Sequence, residues 1–335
     1  MNKAILKGAD ISEFNGALDF EVIKENLDFV ILRCGFGSDY LNQDDEYFER
    51  NAKECEKLGI PYGVYLYSYA DTKAKALSEA KHVLRLIKDK TPLCGVWYDV
   101  EDKIMPTDKN LLSDICALFC EEIEKNGHYV GIYANLSWFN TRFVKEKIAP
   151  YDKWLAQWNE KDEMEEAHGM WQYTSKGKIN GLNGDFDLNV AYKNYPEIIK
   201  NMYEKQSFRV RIKAKGGLNI RKGPGTEYNI TGALSDGSVV KVISASNGWG
   251  KLLTGGYISM NYTEKYEDLS PGEYILTAEN ESEFIEGKEK GDNKSETILK
   301  IKEGKKVNVT AADEYYAKIS ISEEVFVPTQ NLKKA

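Results

Sequence analysis

Four acids in this sequence stand where short apolar runs end: Asp10 in GADIS, Asp99 and Glu101 in VWYDVED, and Asp187 in GDFDLNVAY. An extended segment sends residues i and i+2 to the same side, so Asp99 and Glu101 are expected to project together. Glycoside hydrolysis needs such a pair, one carboxyl to protonate the leaving oxygen and one to act at the anomeric carbon. Each acid alone has an ordinary structural reading, as a helix N-cap or a turn former. Four together are harder to explain that way. Crowded carboxylates repel and raise one another's proton affinity, a cost that packing alone seldom retains.

The elements that must hold these acids follow from the hydrophobic pattern. Eight apolar runs read as strands: Leu6–Ile11, Phe29–Cys34, Tyr62–Tyr67, Gly95–Glu101, Tyr129–Ala134, Lys153–Gln157, Gly169–Tyr173 and Asp185–Asn189. Amphipathic segments lie between the early ones. In Asp108–Lys125, for example, Leu111, Leu112, Ile115, Leu118, Phe119 and Ile123 recur at helical spacing and Gly127 supplies a stop. Alternating strands and helices predict βα units around a parallel sheet, and eight of them predict a TIM-like barrel with its chemistry at the C-terminal strand ends. Long helices fade after residue 145, so the late strands are expected to follow one another without full helices.

Near residue 205 the pattern changes to short β-rich runs with Gly-containing turns, which predicts a catalytic domain over 1–203 and small all-β modules over 207–266 and 267–335. ITGALSDGSVVKV (230–242) parallels ILKIKEGKKVNV (298–309), and Tyr257–Tyr262 parallels Phe326–Leu332, so the two modules read as a tandem repeat. Charge divides along the same lines. Residues 207–266 carry +6, residues 267–335 carry −5 and residues 1–206 carry −9, within a total of −8.

Several function classes are set aside by composition. The chain is 42% hydrophobic and 29% charged, values of a folded globular protein. No run approaches the length of a membrane span, and the N-terminal stretch meets an acid before any apolar core forms, so neither a membrane nor a signal peptide is expected. The basic island lacks the aromatic interleaving of an RNA-binding sheet, which makes nucleic acid a poor partner. Cys34, Cys55, Cys94, Cys116 and Cys120 are odd in number and read as buried or free thiols. Without CxxC or His/Cys spacing, neither a metal nor another cofactor is expected.

Motifs in order carry a family resemblance. KGADISEFNGALDF, GVYLYSYA, VWYDVED, GIYANLSWF, KWLAQWN and MWQYTSKGKINGLNGDFDLNVAY together resemble glycoside hydrolase family 25 over about residues 5 to 192. The resemblance implies a muramidase cutting the β-1,4 bond between N-acetylmuramic acid and N-acetylglucosamine in bacterial peptidoglycan. It implies Glu101 as general acid, Asp99 beside it, and Asp10 and Asp187 completing an acidic floor. Where the family's third strand commonly reads YHY, this chain has YLY; Leu66 points away from the site if Tyr65 and Tyr67 point in. Tyr65, Tyr67, Tyr133, Trp158 and Trp171 lie at or near strand ends and suit stacking on sugar rings, although aromatics also fill barrel cores. Two courses stay open: inversion by an activated water, or attack by the substrate's own 2-acetamido group.

GGLNIRKGPGTEYNITGALSDGSVVKVISASNGWGKLLTGGYISMNYTEKY (216–266) is similar to bacterial SH3 modules, which implies binding to a wall peptide or polymer, with Trp249 as aromatic anchor. The second copy lacks the RxGPGT turn and the GW pair, and Tyr315 or Tyr316 stands in for the tryptophan. The resulting expectation is a phage endolysin, made in the host cytoplasm and acting on the wall after release. A bacterial autolysin, a spore-cortex-lytic enzyme and a catalytically silent wall-binding protein are the alternatives.

Overall fold

Eight strands close into a barrel in the computed structural model, which describes residues 4–267, 271–277, 284–288, 295–312, 316–320 and 324–334. The chain divides into two units between Lys205 and Gln206. The first runs β1 (Leu6–Ile11), α1 (Phe20–Asn26), β2 (Phe29–Phe36), α2 (Phe48–Leu58), β3 (Tyr62–Tyr67), α3 (Lys73–Leu86), β4 (Val96–Asp99), α4 (Lys109–Lys125), β5 (Val130–Asn135), α5 (Leu136–Thr141), α6 (Lys145–Ile148), β6 (Asp152–Ala156), β7 (Met170–Gly177), β8 (Phe186–Ala191) and α7 (Tyr195–Gln206). α4 begins where its sequence says it must: Asp108 accepts from the Leu111 N–H at 2.7 Å, and Gly127 follows the helix with φ 82°.

β1 through β7 pair in parallel, but β8 runs antiparallel to both β7 and β1. The last strand thus departs from the parallel pairing that the other seven share. A parallel return needs a crossover of a dozen or more residues, and only the short stretch 178–185 joins β7 to β8, so the chain turns back as a hairpin. The reversal places the first residues of β8 at the same end of the barrel as the last residues of β1. Asp187 therefore pairs in register with Asp10.

Strand alternation sorts side chains between the barrel interior and the helices. On β4, Tyr98 faces outward and stacks on Phe119 of α4 at 3.8 Å between ring centroids. Trp97 and Asp99 take the inner face, with Trp97 fully buried against Trp154 of β6 at 5.8 Å and Tyr195 of α7 at 5.6 Å. Leu66 is buried in the outer core, as the YLY reading requires. All five cysteines are buried and free, and burial raises their thiol pKa values. Among the described residues no helix is long and apolar enough to cross a membrane.

Among the described residues the second unit contains two seven-stranded sheets. One comprises β9 (Phe208–Ile212), β10 (Leu218–Arg221), β11 (Ile230–Leu234), β12 (Val239–Ser246), β13 (Trp249–Leu252), β14 (Tyr257–Ser259) and β15 (Thr263–Lys265). The other comprises β16 (Gly272–Leu276), β17 (Phe284–Lys288), β18 (Thr297–Lys302), β19 (Lys306–Ala312), β20 (Tyr316–Ser320), β21 (Glu324–Pro328) and β22 (Leu332–Lys334). Their orders, β11-β10-β14-β13-β12-β9-β15 and β18-β17-β21-β20-β19-β16-β22, are the same order displaced by seven strands. Each encloses its own small apolar core, built on Val210, Ile212 and Val242 in the first and on Tyr274, Leu276 and Val309 in the second.

Gly131 of β5 leaves the room that Trp97 occupies: a Cβ there would lie 2.3 Å from the Trp97 ring and 2.9 Å from the Asp152 carbonyl oxygen. Gly131→Ala is expected to destabilise the barrel by about 1–3 kcal/mol through overpacking. Chemical denaturation followed by tryptophan fluorescence measures it; an unchanged midpoint would show that the interior repacks freely.

Candidate active site

One cleft at the barrel mouth collects Asp10, Asp99, Glu101 and Asp187 together with Arg33, Tyr65, Tyr67, Tyr133, Trp154, Trp158 and Gln172. The four acids arrive by different routes. Asp10 and Asp187 face each other across the β1–β8 pair. Asp99 is the last residue of β4, sharing the inner face with Trp97. Glu101 lies beyond that strand, a correction to the expected run of Gly95–Glu101. The ladder persists one residue further, through the Val100 N–H to the Tyr133 carbonyl at 2.9 Å, and then a turn closed by Met105 N–H on the Asp102 carbonyl carries the chain away. Both side chains still line the cleft, so the juxtaposition holds although it is not made by one strand.

Burial sets the electrostatics. Asp10 is 7% exposed, and burial first, then the Asp187 charge, raise its pKa from 3.8 to about 8. Hydrogen bonds from Asn189 Nδ2 at 2.8 Å and Gln172 Nε2 at 2.9 Å, both to Oδ2, pull in the opposite direction and fall short. Asp99 is pushed well above the usual carboxylate range by burial and by Glu101 and Asp10, with Arg33 opposing. Among the described residues its buried Oδ1 has no hydrogen-bond partner. Glu101 is open to solvent at the mouth, and its pKa is raised by partial desolvation, then by Asp187 and Asp102. Desolvation also raises Asp187.

The predicted aromatics divide. Tyr65, Tyr67, Tyr133 and Trp158 line the cleft. Tyr67 donates to Asp102 at 3.1 Å, while Tyr133 and Trp158 both donate to Gln172 Oε1, at 3.1 and 3.0 Å. Trp171 is not in the cleft: its Nε1 donates to the Gln157 carbonyl at 2.7 Å and its ring packs on the outer core. It neighbours Gln172 on β7, and when one of two adjacent strand residues points in, the other points out. Gln172, Asn189, Arg33 and Trp154 were not singled out from the sequence. Three of them are polar residues in largely apolar strand runs, MWQY, DLNV and VILRC, and a polar group buried in a barrel needs a partner. Trp154 closes the floor, donating from Nε1 to Asn189 Oδ1 at 2.8 Å.

A second cleft lies on the first β-module, where Trp249 is half-buried beside Tyr262, Lys213, Lys215, Arg221 and Asn219, with a volume near 580 Å³. In the second module Tyr316 opens β20 as Trp249 opens β13, but Tyr316 is buried. Tyr315 lies outside the described residues.

The sequence model for glycosyl hydrolases family 25 matches residues 9–182, just over half the chain. The chain belongs to glycosyl hydrolase family 25. The model for the bacterial SH3 domain matches residues 216–264, the module that carries Trp249. Among relatives, the autolytic lysozyme of Clostridium acetobutylicum is 24% identical over 185 residues, covering 55% of each protein. The modular autolysin LytC from Streptococcus pneumoniae is 31% identical with a TM-score of 0.50, over 55% of this chain and 46% of that one. The CTP1L endolysin is 26% identical with a TM-score of 0.53, over 59% of this chain and 70% of that one. This family 25 chain thus spans about half the length of the autolytic lysozyme and of LytC.

Because Asp10 binds its proton more tightly when folded, charging it opposes folding: its contribution is least unfavourable below pH 3.8 and becomes steadily more unfavourable as pH rises toward about 8. Asp10→Asn removes that penalty while keeping an oxygen for Gln172 and Asn189. The stability of the variant relative to the native chain is expected to rise between about pH 4 and about pH 8 in paired denaturation curves. Parallel curves across that window would mean that Asp10 is not held protonated.

Proposed function

We propose that this chain is a peptidoglycan N-acetylmuramidase, hydrolysing the β-1,4 bond between N-acetylmuramic acid and N-acetylglucosamine. The observation that carries the reading is the convergence of four carboxyl groups of raised proton affinity in one cleft walled by tyrosine and tryptophan. Glu101 is the most exposed of the four and still holds its proton above the ordinary glutamate range, which suits a donor to the departing glycosidic oxygen. Asp99 acts beside it. Its unpartnered buried Oδ1 suits the N–H of a 2-acetamido group, and accepting that hydrogen bond would favour the carboxylate form as the acetamido oxygen attacks the anomeric carbon. Glu101, now ionised, then takes a proton from the incoming water. Asp10 and Asp187 keep the floor acidic and hold the proton affinity of their neighbours high. Four acids gathered in one cleft speak against a catalytically silent wall binder.

The SH3 module supplies a tether to the wall peptide or polymer. Holding the barrel near an insoluble substrate raises its effective concentration there. The basic residues around Trp249, Lys213, Lys215 and Arg221, suit a ligand of acidic or carboxyl-bearing chemistry. The likeness to the CTP1L endolysin supports a phage endolysin, made in the cytoplasm and released to the wall. The likeness to the autolytic lysozyme and to LytC supports a bacterial autolysin instead, and the genes adjoining this one decide between them.

Glu101→Gln is expected to slow clearing of a cell-wall suspension by a factor on the order of 100 or more while the protein still pellets with the walls. Digests by the native chain should carry new reducing ends on muramic acid; reducing ends on glucosamine, or new free amines, would sink the assignment. The tether has its own test. In the full chain, Trp249→Ala should reduce sedimentation with walls without changing cooperative unfolding, and undiminished sedimentation would relegate the ring to core packing.

A further inference from the structure

Phe14 is 83% exposed, the most exposed of the large apolar side chains among the described residues, yet nothing about its setting is loose. It sits on a 3-10 turn, Glu13–Asn15, directly after the strand that carries Asp10. Ser12 Oγ accepts from the Phe14 N–H at 3.3 Å, and Asn15 Oδ1 accepts from the Ser12 N–H at 2.9 Å, so a reciprocal capping box fixes the start of the turn. The Glu13 N–H donates to Asp45 Oδ2 at 2.9 Å, tying the turn to the loop after β2. Beneath the ring lies the Arg33 guanidinium, 4.6 Å from the centroid. Arg33 is itself buried and held by Asp45 at 2.8 Å and Glu13 at 2.6 Å. One face of Phe14 thus rests on a fixed cation, and the ring lines the same cleft as the four acids.

Trp158 is its counterpart. It is 64% exposed, follows β6, and is fixed by its bond to Gln172, which in turn holds Asp10. β1 and β6 are three strands apart around an eight-stranded barrel, so the two rings reach the cleft from different strands and line it together with the four acids. A large aromatic face that is both immobilised and open to water gains by covering, because the ordering entropy is already spent. The ligand that fits is the one running through the cleft: a pyranose presents a flat array of C–H groups to such a ring.

We propose that Phe14 is a sugar-stacking platform which, with Trp158, grips the glycan on both sides of the bond being cut, so that affinity grows with chain length until both rings are covered. The inference rests on the glycan-hydrolase reading above. The test uses the full chain and alternating N-acetylglucosamine–N-acetylmuramic acid oligosaccharides of increasing length, with kcat/KM measured for the native protein, Phe14→Ala, Phe14→Trp and Phe14→Leu. The native protein should show kcat/KM rising with length. Phe14→Ala should flatten that rise and cost about tenfold on the longest substrate, the scale of uncovering one face of an aromatic ring. Phe14→Trp should keep it, and Phe14→Leu should not. Direct titration of the longest oligosaccharide into Glu101→Gln, with and without Phe14→Ala, should show the same loss in affinity without turnover. A native length dependence in Phe14→Ala, or equal behaviour of Phe14→Leu and Phe14→Trp, overturns the platform and leaves the hydrolase reading standing. Failure of the native protein to cleave any member of the series overturns both.

Discussion

Asp10 and Asp187 stand opposite one another on paired strands, and closing the barrel forces their carboxyl groups into a space that water only partly reaches. Repulsion and desolvation both favour the protonated forms there. Much of the surrounding structure answers that constraint. Gln172 and Asn189 direct donors at Asp10, Tyr133 and Trp158 fasten Gln172, and Trp154 fastens Asn189. The network runs through β1, β5, β6, β7 and β8, so a displacement of any of these strands disturbs the acid cluster. Arg33 supplies a buried positive charge to the same cleft and is the counterweight that keeps Asp99 from rising further.

The proton affinity of the acids and the aromatic wall of the cleft are joined in this arrangement. Gln172 is the hinge between them, since one end of its amide holds an acid and the other end accepts from two aromatic residues that face the cleft. Burial and nearby carboxylates raise the Tyr65 and Tyr133 phenols above their ordinary range, so both remain neutral hydrogen-bond donors beside the acids. The loop after β2, which supplies Asp45 to Arg33, is anchored from behind by α3: His82 bonds the Gly37 carbonyl and Asp44, and Arg85 bonds Asp39 and Asp44. A cleft whose groups are fastened in this way loses little conformational entropy when a ligand enters it.

The β-modules follow another logic. Two copies of one strand order carry opposite net charges and different residues at the position of Trp249. Duplication with divergence of this kind leaves one copy with an open aromatic cleft and the other with a buried tyrosine, so the pair need not share a ligand.

How far the sequence reached is clearest at particular residues. β1 and β3 were legible to the residue, because alternation and flanking turns leave little choice of register. The inward set Asp10, Asp99, Tyr65, Tyr67 and Tyr133 followed from the same period of two, which is a local property of an extended chain. Trp171 misled because an aromatic at a strand end reads the same whichever face it takes, and only its partner strands decide which. The reversed direction of β8, the early end of β4 and the gathering of Gln172, Asn189 and Arg33 around the acids were settled by tertiary structure. The sequence by itself determined which chemical groups were present and which strands carried them, since residue type and alternation are written along the chain. Closure of the barrel decided which of those residues meet, because contacts between positions as distant as Asp10 and Asn189 depend on strand order and direction, which no local pattern encodes.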